Sequence, residues 1–291
     1  MNRILTLRRY FPSTCCALTA AITGSASAAT IIDLRPGQAD SGAINGAIYA
    51  VDTTHPAGTG IFNLPGGAVF ETIQEVQGNP NDDPNGLGVE EGYNTSHATV
   101  MDTDRVPQWN HELLVSDLNV VVINGVDYVP FLLDINEAAA ANKSLLTLDD
   151  VQILTSPTTI GVSNLTDLLT DANATLRYWM DAGGADPGTF VVLDYNRSGS
   201  GSGEADLGLF VPLSAFAGAL LTDYVYLYSR FGGDDASAVT AENTESHAGF
   251  EEWTLGTGRD ITDGDLGTAP EPSSALLSLL GAGVLLLRRK R

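Results

Sequence analysis

His55, His97, His111 and His247 are the four histidines of the chain, and no two of them stand at a metal-binding spacing. His111-Glu112 begins like the helix of a zinc protease, in which two histidines four residues apart hold the metal. Position 115, however, is Val. Asp40-Ser41-Gly42 has the form of an aspartic-protease loop, but that chemistry needs two carboxylates sharing a proton and the loop has no second copy. The Gly/Ser run at 199–203 puts Gly where a nucleophile elbow needs Ser, and it fails the G-x-G-x-x-G spacing of a dinucleotide loop. Among 36 acids, carboxylate pairs arise by coincidence. No catalytic residue is assigned, and the chain reads as a non-enzyme.

Ca²⁺ is the one cofactor the sequence leaves open. Asn81, Asp83 and Asn85, followed by Gly86, match the first half of an EF-hand-type loop. The closing acid should fall at position 92, which is Gly; Glu90 and Glu91 come one or two places early, and no helices flank the loop. Asp102/Asp104 and Asp260/Asp263/Asp265 are further oxygen-rich turns. The competing reading is that Asn, Asp and Gly are what turns are made of. Tyr224, Tyr226 and Tyr228 alternate along one strand and share a face, as a platform for sugar rings or as a buried cross-strand stripe. Burial is the reading we favour. Trp253, beside Glu251-Glu252, reads as the buried face of a strand, whereas Trp109 and Trp179 stand alone.

Charge excludes one class of partner. Of the 14 Lys and Arg, three precede residue 29 and four follow residue 287, leaving seven against 36 Asp and Glu between them. Nucleic acid is repelled by such a surface. Anionic polysaccharide is repelled too, unless divalent cations bridge the two. The two cysteines, Cys15 and Cys16, both lie near the N-terminus, so the rest of the chain has no disulfide, thiol nucleophile or Cys-ligated metal.

The ends read as address labels. Arg3, Arg8 and Arg9 precede an apolar run at 15–22, and Ala26 and Ala28 fit an A-x-A cleavage site. Residues 1–28 are thus expected to be a signal peptide for the general secretory (Sec) translocon. At the other end, Pro270-Glu271-Pro272 is followed by an uncharged run at 273–287 and then by Arg288, Arg289, Lys290 and Arg291. The run is short for a bilayer span, which takes about 20 residues. The four cations would act as a stop held in the cytoplasm.

This three-part order resembles the PEP-CTERM sorting signal. The resemblance implies recognition by an exosortase, a membrane cysteine protease. Cleavage near the motif would release the exported part to the cell surface or into the exopolysaccharide matrix. More loosely, residues 131–137, 145–154 and 249–253 look like segments of uncharacterised secreted proteins with the same tail. No activity comes with that likeness.

Between the labels, Gly and Pro punctuate short β-rich runs. Strands are expected at 29–34, 62–64, 69–76, 144–155, 189–195, 207–213, 223–231 and 249–255, with a bulge at Asp149-Asp150. Asn124-Gly125 between two β-branched runs predicts a hairpin over 119–136, since both turn residues need positive φ. Pro130 predicts an edge or a bulge in its second arm. Residues 164–181 fit a short helix or a strand. The pattern predicts one all-β domain over 29–255, a β-sandwich of jelly-roll type. A strandless linker at 256–269 and the sorting signal at 270–291 follow it.

Overall fold

The computed structural model describes residues 30–51, 71–77, 88–97, 100–103, 108–140, 143–181, 188–197, 205–233, 236–247 and 249–267. Of these, 43% are strand and 10% helix, which makes the protein all-β. In chain order the elements are β1 (Ile31–Asp33), β2 (Ser41–Ile44), β3 (Ala47–Ala50), β4 (Thr72–Val76), β5 (Glu90–Tyr93), β6 (Leu113–Leu114), β7 (Asn119–Ile123), β8 (Val126–Asp134), β9 (Leu145–Ser156), α1 (Leu165–Thr170), β10 (Thr175–Trp179), β11 (Phe190–Asp194), β12 (Leu207–Pro212), β13 (Tyr224–Phe231), β14 (Glu251–Leu255), β15 (Arg259–Asp260) and α2 (Asp263–Leu266).

The strands form two sheets, and three long strands act as their spines. In the first sheet, running β1-β11-β9-β13-β5, the 12-residue β9 pairs with β13 on one edge. Its other edge is shared by β11 and β10. The free edge of β13 is likewise divided between β5 and β6. The second sheet runs β15-β7-β8-β12-β3-β2, with β14 and β4 joined to it through β8. All pairings are antiparallel except β1 with β11.

Pro130 sits inside β8, an interior strand, because of where that strand changes partners. One edge of β8 pairs continuously with β12. The other pairs with β7 through Tyr128 and with β14 from Phe131 onward. Pro130 falls in the gap between them. Its carbonyl accepts from Gly256 N at 2.9 Å on that side. The N and C=O of one strand residue point to the same edge, so the missing N–H is lost where no ladder partner exists.

The predicted hairpin is present: Asn124 has φ 53° and Gly125 φ 80° between β7 and β8. The predicted bulge is present too. Arg230 pairs with Asp150 and Phe231 with Leu148, leaving Asp149 as the extra residue. Residues 164–181 hold both of the alternatives in succession, α1 and then β10. Asn164 caps the helix, its side chain accepting from Asp167 N at 2.9 Å.

The inner faces of the sheets bury one continuous apolar core that includes Tyr49, Phe131, Leu209, Leu227, Phe231 and Trp253. The architecture is therefore sandwich-like. Two smaller clusters lie apart from it, one around Tyr93, Leu154 and Tyr226 and one around Leu132 and Phe210.

One boundary needs correcting. The expected linker at 256–269 is folded as far as residue 267: β15 pairs with β7, and Ile261 and Leu266 enter the main core. Composition hid this, because two apolar residues among Gly, Thr and Asp look like a tether yet suffice to dock a turn of helix. Among the described residues, no helix is long and apolar enough to cross a membrane. Residues 62–64 lie outside the described residues.

Candidate functional site

Several expectations fall where the structure gives no description: the signal peptide with Ala26 and Ala28, the sorting motif Pro270-Glu271-Pro272, the basic end Arg288, Arg289, Lys290 and Arg291, and the candidate Ca²⁺ loop of Asn81, Asp83 and Asn85 lie outside the described residues. Other oxygen-rich turns have local work to do. Asp102 Oδ2 accepts from Glu91 N at 2.9 Å. Asp265 accepts from Arg259 at 2.8 Å and from Thr262 N at 2.8 Å, which ties α2 to β15. Among the described residues no three His, Cys, Asp or Glu side chains converge as metal ligands.

The protease-like fragments are structural as well. Glu112 accepts from Thr95 Oγ1 at 3.0 Å and from Ser96 N at 3.1 Å, and so fixes a turn. Asp40-Ser41-Gly42 leads into β2, where Asp40 pairs with Arg197. His97 packs against Gly161, while the ring of His247 contacts Asn243 and the Glu245 carbonyl.

Tyr226 and Tyr228 of the tyrosine stripe are buried and Tyr224 is half-buried. Tyr93 and Tyr226 meet edge to face with centroids 5.8 Å apart, beneath Ile160 and Leu168. Tyr226 Oη accepts from Ile160 N at 2.7 Å, and Tyr93 Oη donates to Val162 O at 2.8 Å. The hydroxyls thus pin the strap at 160–168 across the outer face of the first sheet. This is a covered cluster and offers no open platform for a sugar.

Beside that strap, the same outer face carries a row of a different character. The ladder places Trp179 opposite Gln152, and Gln152 opposite Tyr228. In the next row Asp150 lies opposite Arg230, which lies opposite Glu91. Tyr228 Oη donates to Glu91 Oε2 at 2.5 Å, and Gln152 Nε2 donates to Asp150 Oδ2 at 2.6 Å. Burial pushes Asp150 up to about 6, against the opposing pull of Gln152 and the Trp179 indole. Asp150 Oδ1, Gln152 Oε1 and Trp179 Nε1 are buried without completing a hydrogen bond. A half-buried indole with the half-buried Arg230 and Glu91 side chains on the same face suits a hydroxyl-rich ring, by stacking and by hydrogen bonds to those two charged groups. Sequence reading left Trp179 unassigned and missed Asp150 and Gln152. The signal was present, since both alternate with Leu154 along β9.

A second unforeseen group is internal. Glu90 opens β5 and Glu251 opens β14, and both turn inward between the sheets, beside Phe231 and on the Trp253 side of β14 respectively. Glu137 follows β8, and it accepts from His247 N at 3.0 Å. A neighbouring depression of about 330 Å³ is lined by Gly232, Ala236, Ser237, Thr240, Asn243 and Glu245 among others; it has hydroxyls but no aromatic wall.

No family model, curated protein or solved structure matches the chain.

Proposed function

We propose that this is an exported surface or extracellular-matrix protein, sorted by an exosortase-type membrane protease, with a structural or adhesive role and no catalysis. The observation that carries this reading is the tail: Pro270-Glu271-Pro272, then the uncharged run at 273–287, then Arg288 to Arg291. In this reading the run is a short transmembrane helix that holds the chain until cleavage, and the Sec translocon delivers it after removal of residues 1–28. The exported part is a jelly-roll-type sandwich. Its last described element, α2, ends at Leu266 and so leaves only a few residues before the motif. The cut would therefore fall close to the folded body. The test is the intact mass of the protein recovered from cells and from medium. Secreted material is expected to begin at Ala29 and to lack Arg288–Arg291; secreted protein that retains the basic end overturns the reading.

The row around Trp179 favours a second reading, a carbohydrate-binding module of the exopolysaccharide matrix. A glycan array of the mature protein, run with and without a divalent-cation chelator, is expected to show reproducible binding. Chelator sensitivity would mark a Ca²⁺ bridge between acidic protein and acidic glycan. Trp179→Ala should weaken that binding at least about tenfold, the loss of one stacking anchor. Unchanged binding by Trp179→Ala would remove this face from consideration.

A further inference from the structure

Three carboxyls from three separate segments are enclosed at one end of the sandwich. Glu90 and Glu137 are each 4% exposed and Glu251 is 0% exposed. Glu90 belongs to the first sheet, and Glu251 to the second, which Glu137 follows directly in the chain. Ser246 Oγ donates to Glu90 Oε1 at 2.7 Å, and His247 N donates to both oxygens of Glu137 at 3.0 and 3.3 Å. Both oxygens of Glu251 are buried with no donor among the described residues. An ionised Glu251 would be an unsolvated charge facing two other acids. A proton on Glu251 removes that charge and supplies a hydrogen bond to Glu90.

The backbone around the cluster is built for close approach. Gly249 has φ 96°, and a Cβ there would overlap the Asn136 carbonyl. Gly232 has φ 75°, and a Cβ there would come within 2.5 Å of Gly88 O and 2.7 Å of Ser246 N. Ser246 N in turn donates to Gly88 O at 2.9 Å. Loops from both sheets thus meet at this point.

We infer that Glu90, Glu137 and Glu251 form a proton-held clasp between the two sheets, closing this end of the sandwich in acidic to neutral surroundings and releasing it in alkaline ones. The groups facing the clasp are Ser246 and the His247 main chain from the 245–247 loop, with Phe231 beside Glu90 and Val76 opposite Glu251. The His247 ring and the Glu245 side chain turn away towards Asn243. No ion pair among the described residues reaches the three acids.

The direction of the effect follows from burial. Burial, then the Glu90 contact, drives Glu251 well above the carboxylate range. Burial raises Glu137 from 4.5 to about 7. A carboxyl raised on folding holds its proton longer in the folded state than in the unfolded one. The stability it contributes is complete below about pH 4.5 and is lost as pH rises through about 7. Glu137 alone should change the unfolding equilibrium by up to about 300-fold across that window.

The experiment is urea unfolding of the exported protein from pH 5 to 9 at fixed high ionic strength, together with amide hydrogen exchange corrected for intrinsic pH dependence. Stability should fall steadily with pH, and Ser246 and His247 amides should lose protection before those of β9. Glu251→Gln and Glu137→Gln should flatten the slope. Asp150→Asn should remove only the separate contribution of the outer face. A pH-independent or rising stability overturns the clasp. So does a fall left unchanged by both Gln variants, which would trace it to the general excess of acid, 36 Asp and Glu against seven Lys and Arg between residues 29 and 287. If the variants fail to fold, exchange in the unaltered protein still decides: uniform loss of protection over 88, 246–247 and β9 overturns the clasp.

Discussion

Trp253→Ala is expected to destabilise the β domain by about 3–5 kcal/mol, the usual cost of truncating a large buried aromatic and leaving a cavity. Trp253 is 0% exposed and stands on the inner face of β14, between the sheets. Its indole N–H donates to Ser229 Oγ at 3.2 Å, and Gln74 Nε2 donates to the same oxygen at 3.0 Å. Gln74 also donates to Gly92 O at 2.8 Å. A small polar knot therefore ties β4 and β14 of one sheet to β13 and β5 of the other, inside an otherwise apolar layer. Trp253→Phe keeps most of the ring and loses the indole donor, so a smaller loss of about 1–2 kcal/mol is expected. Far-UV circular dichroism in urea measures both without depending on indole fluorescence. A change below about 0.5 kcal/mol for the Ala variant would mean that the two sheets do not close over this residue.

Much of the architecture was legible because it rests on local rules. Asn124-Gly125 supplied two positive-φ residues between β-branched arms, and the hairpin forms there. The same dipeptide at Asn45-Gly46 joins β2 and β3 with φ 49° and 86°, but its flanks do not announce a hairpin. Its arms, Ser-Gly-Ala-Ile and Ala-Ile-Tyr-Ala, lack the β-branched density that made the other one visible. Asn45 has a non-local role as well: its amide donates to the Trp179 and Met180 carbonyls at 2.9 and 2.8 Å, joining this hairpin to the end of β10. No local pattern announces such a contact.

The acids were harder to read for a physical reason. In a chain this rich in Asp and Glu, the default expectation for each one is solvent. Yet period-two alternation places Glu251 on the same strand face as Trp253, so the burial of the tryptophan carries the acid inward. Glu90 is carried inward in the same way, opposite Phe231. Pro130 shows the converse. It implied an edge, and β8 is interior, because an edge can be local: Val129 and Pro130 alone lie between the ladder to the start of β7 and the ladder to the end of β14. Which strands share a spine is decided by long-range pairing, which leaves no mark on the spine's own sequence.

A chain spanning residues 29–267 should match the stability of one spanning 29–291, whereas one ending at residue 255 should be weaker by about 3 kcal/mol or more, or fail to fold. The shorter chain loses two core side chains, Ile261 and Leu266, which are 5% and 3% exposed. Burying each such side chain contributes about 1.5–3 kcal/mol. It also loses Gly218 N to Leu266 O at 3.0 Å, Ile261 N to Leu118 O at 3.3 Å and the pairing of β15 with β7. The Arg259 bridge to Asp265 lies at the surface and adds little. Leu266→Ala in the longer chain separates burial from strand pairing, and about 2–3 kcal/mol of the loss should reappear in that single change. Equal urea midpoints for the two chain lengths would return the domain boundary to residue 255 and make the segment a tether. A difference puts Pro270-Glu271-Pro272 within a few residues of folded protein. If the chain is sorted as proposed, the protease would work against the body of the sandwich itself, so Leu266→Ala, by fraying α2, should speed cleavage rather than slow it.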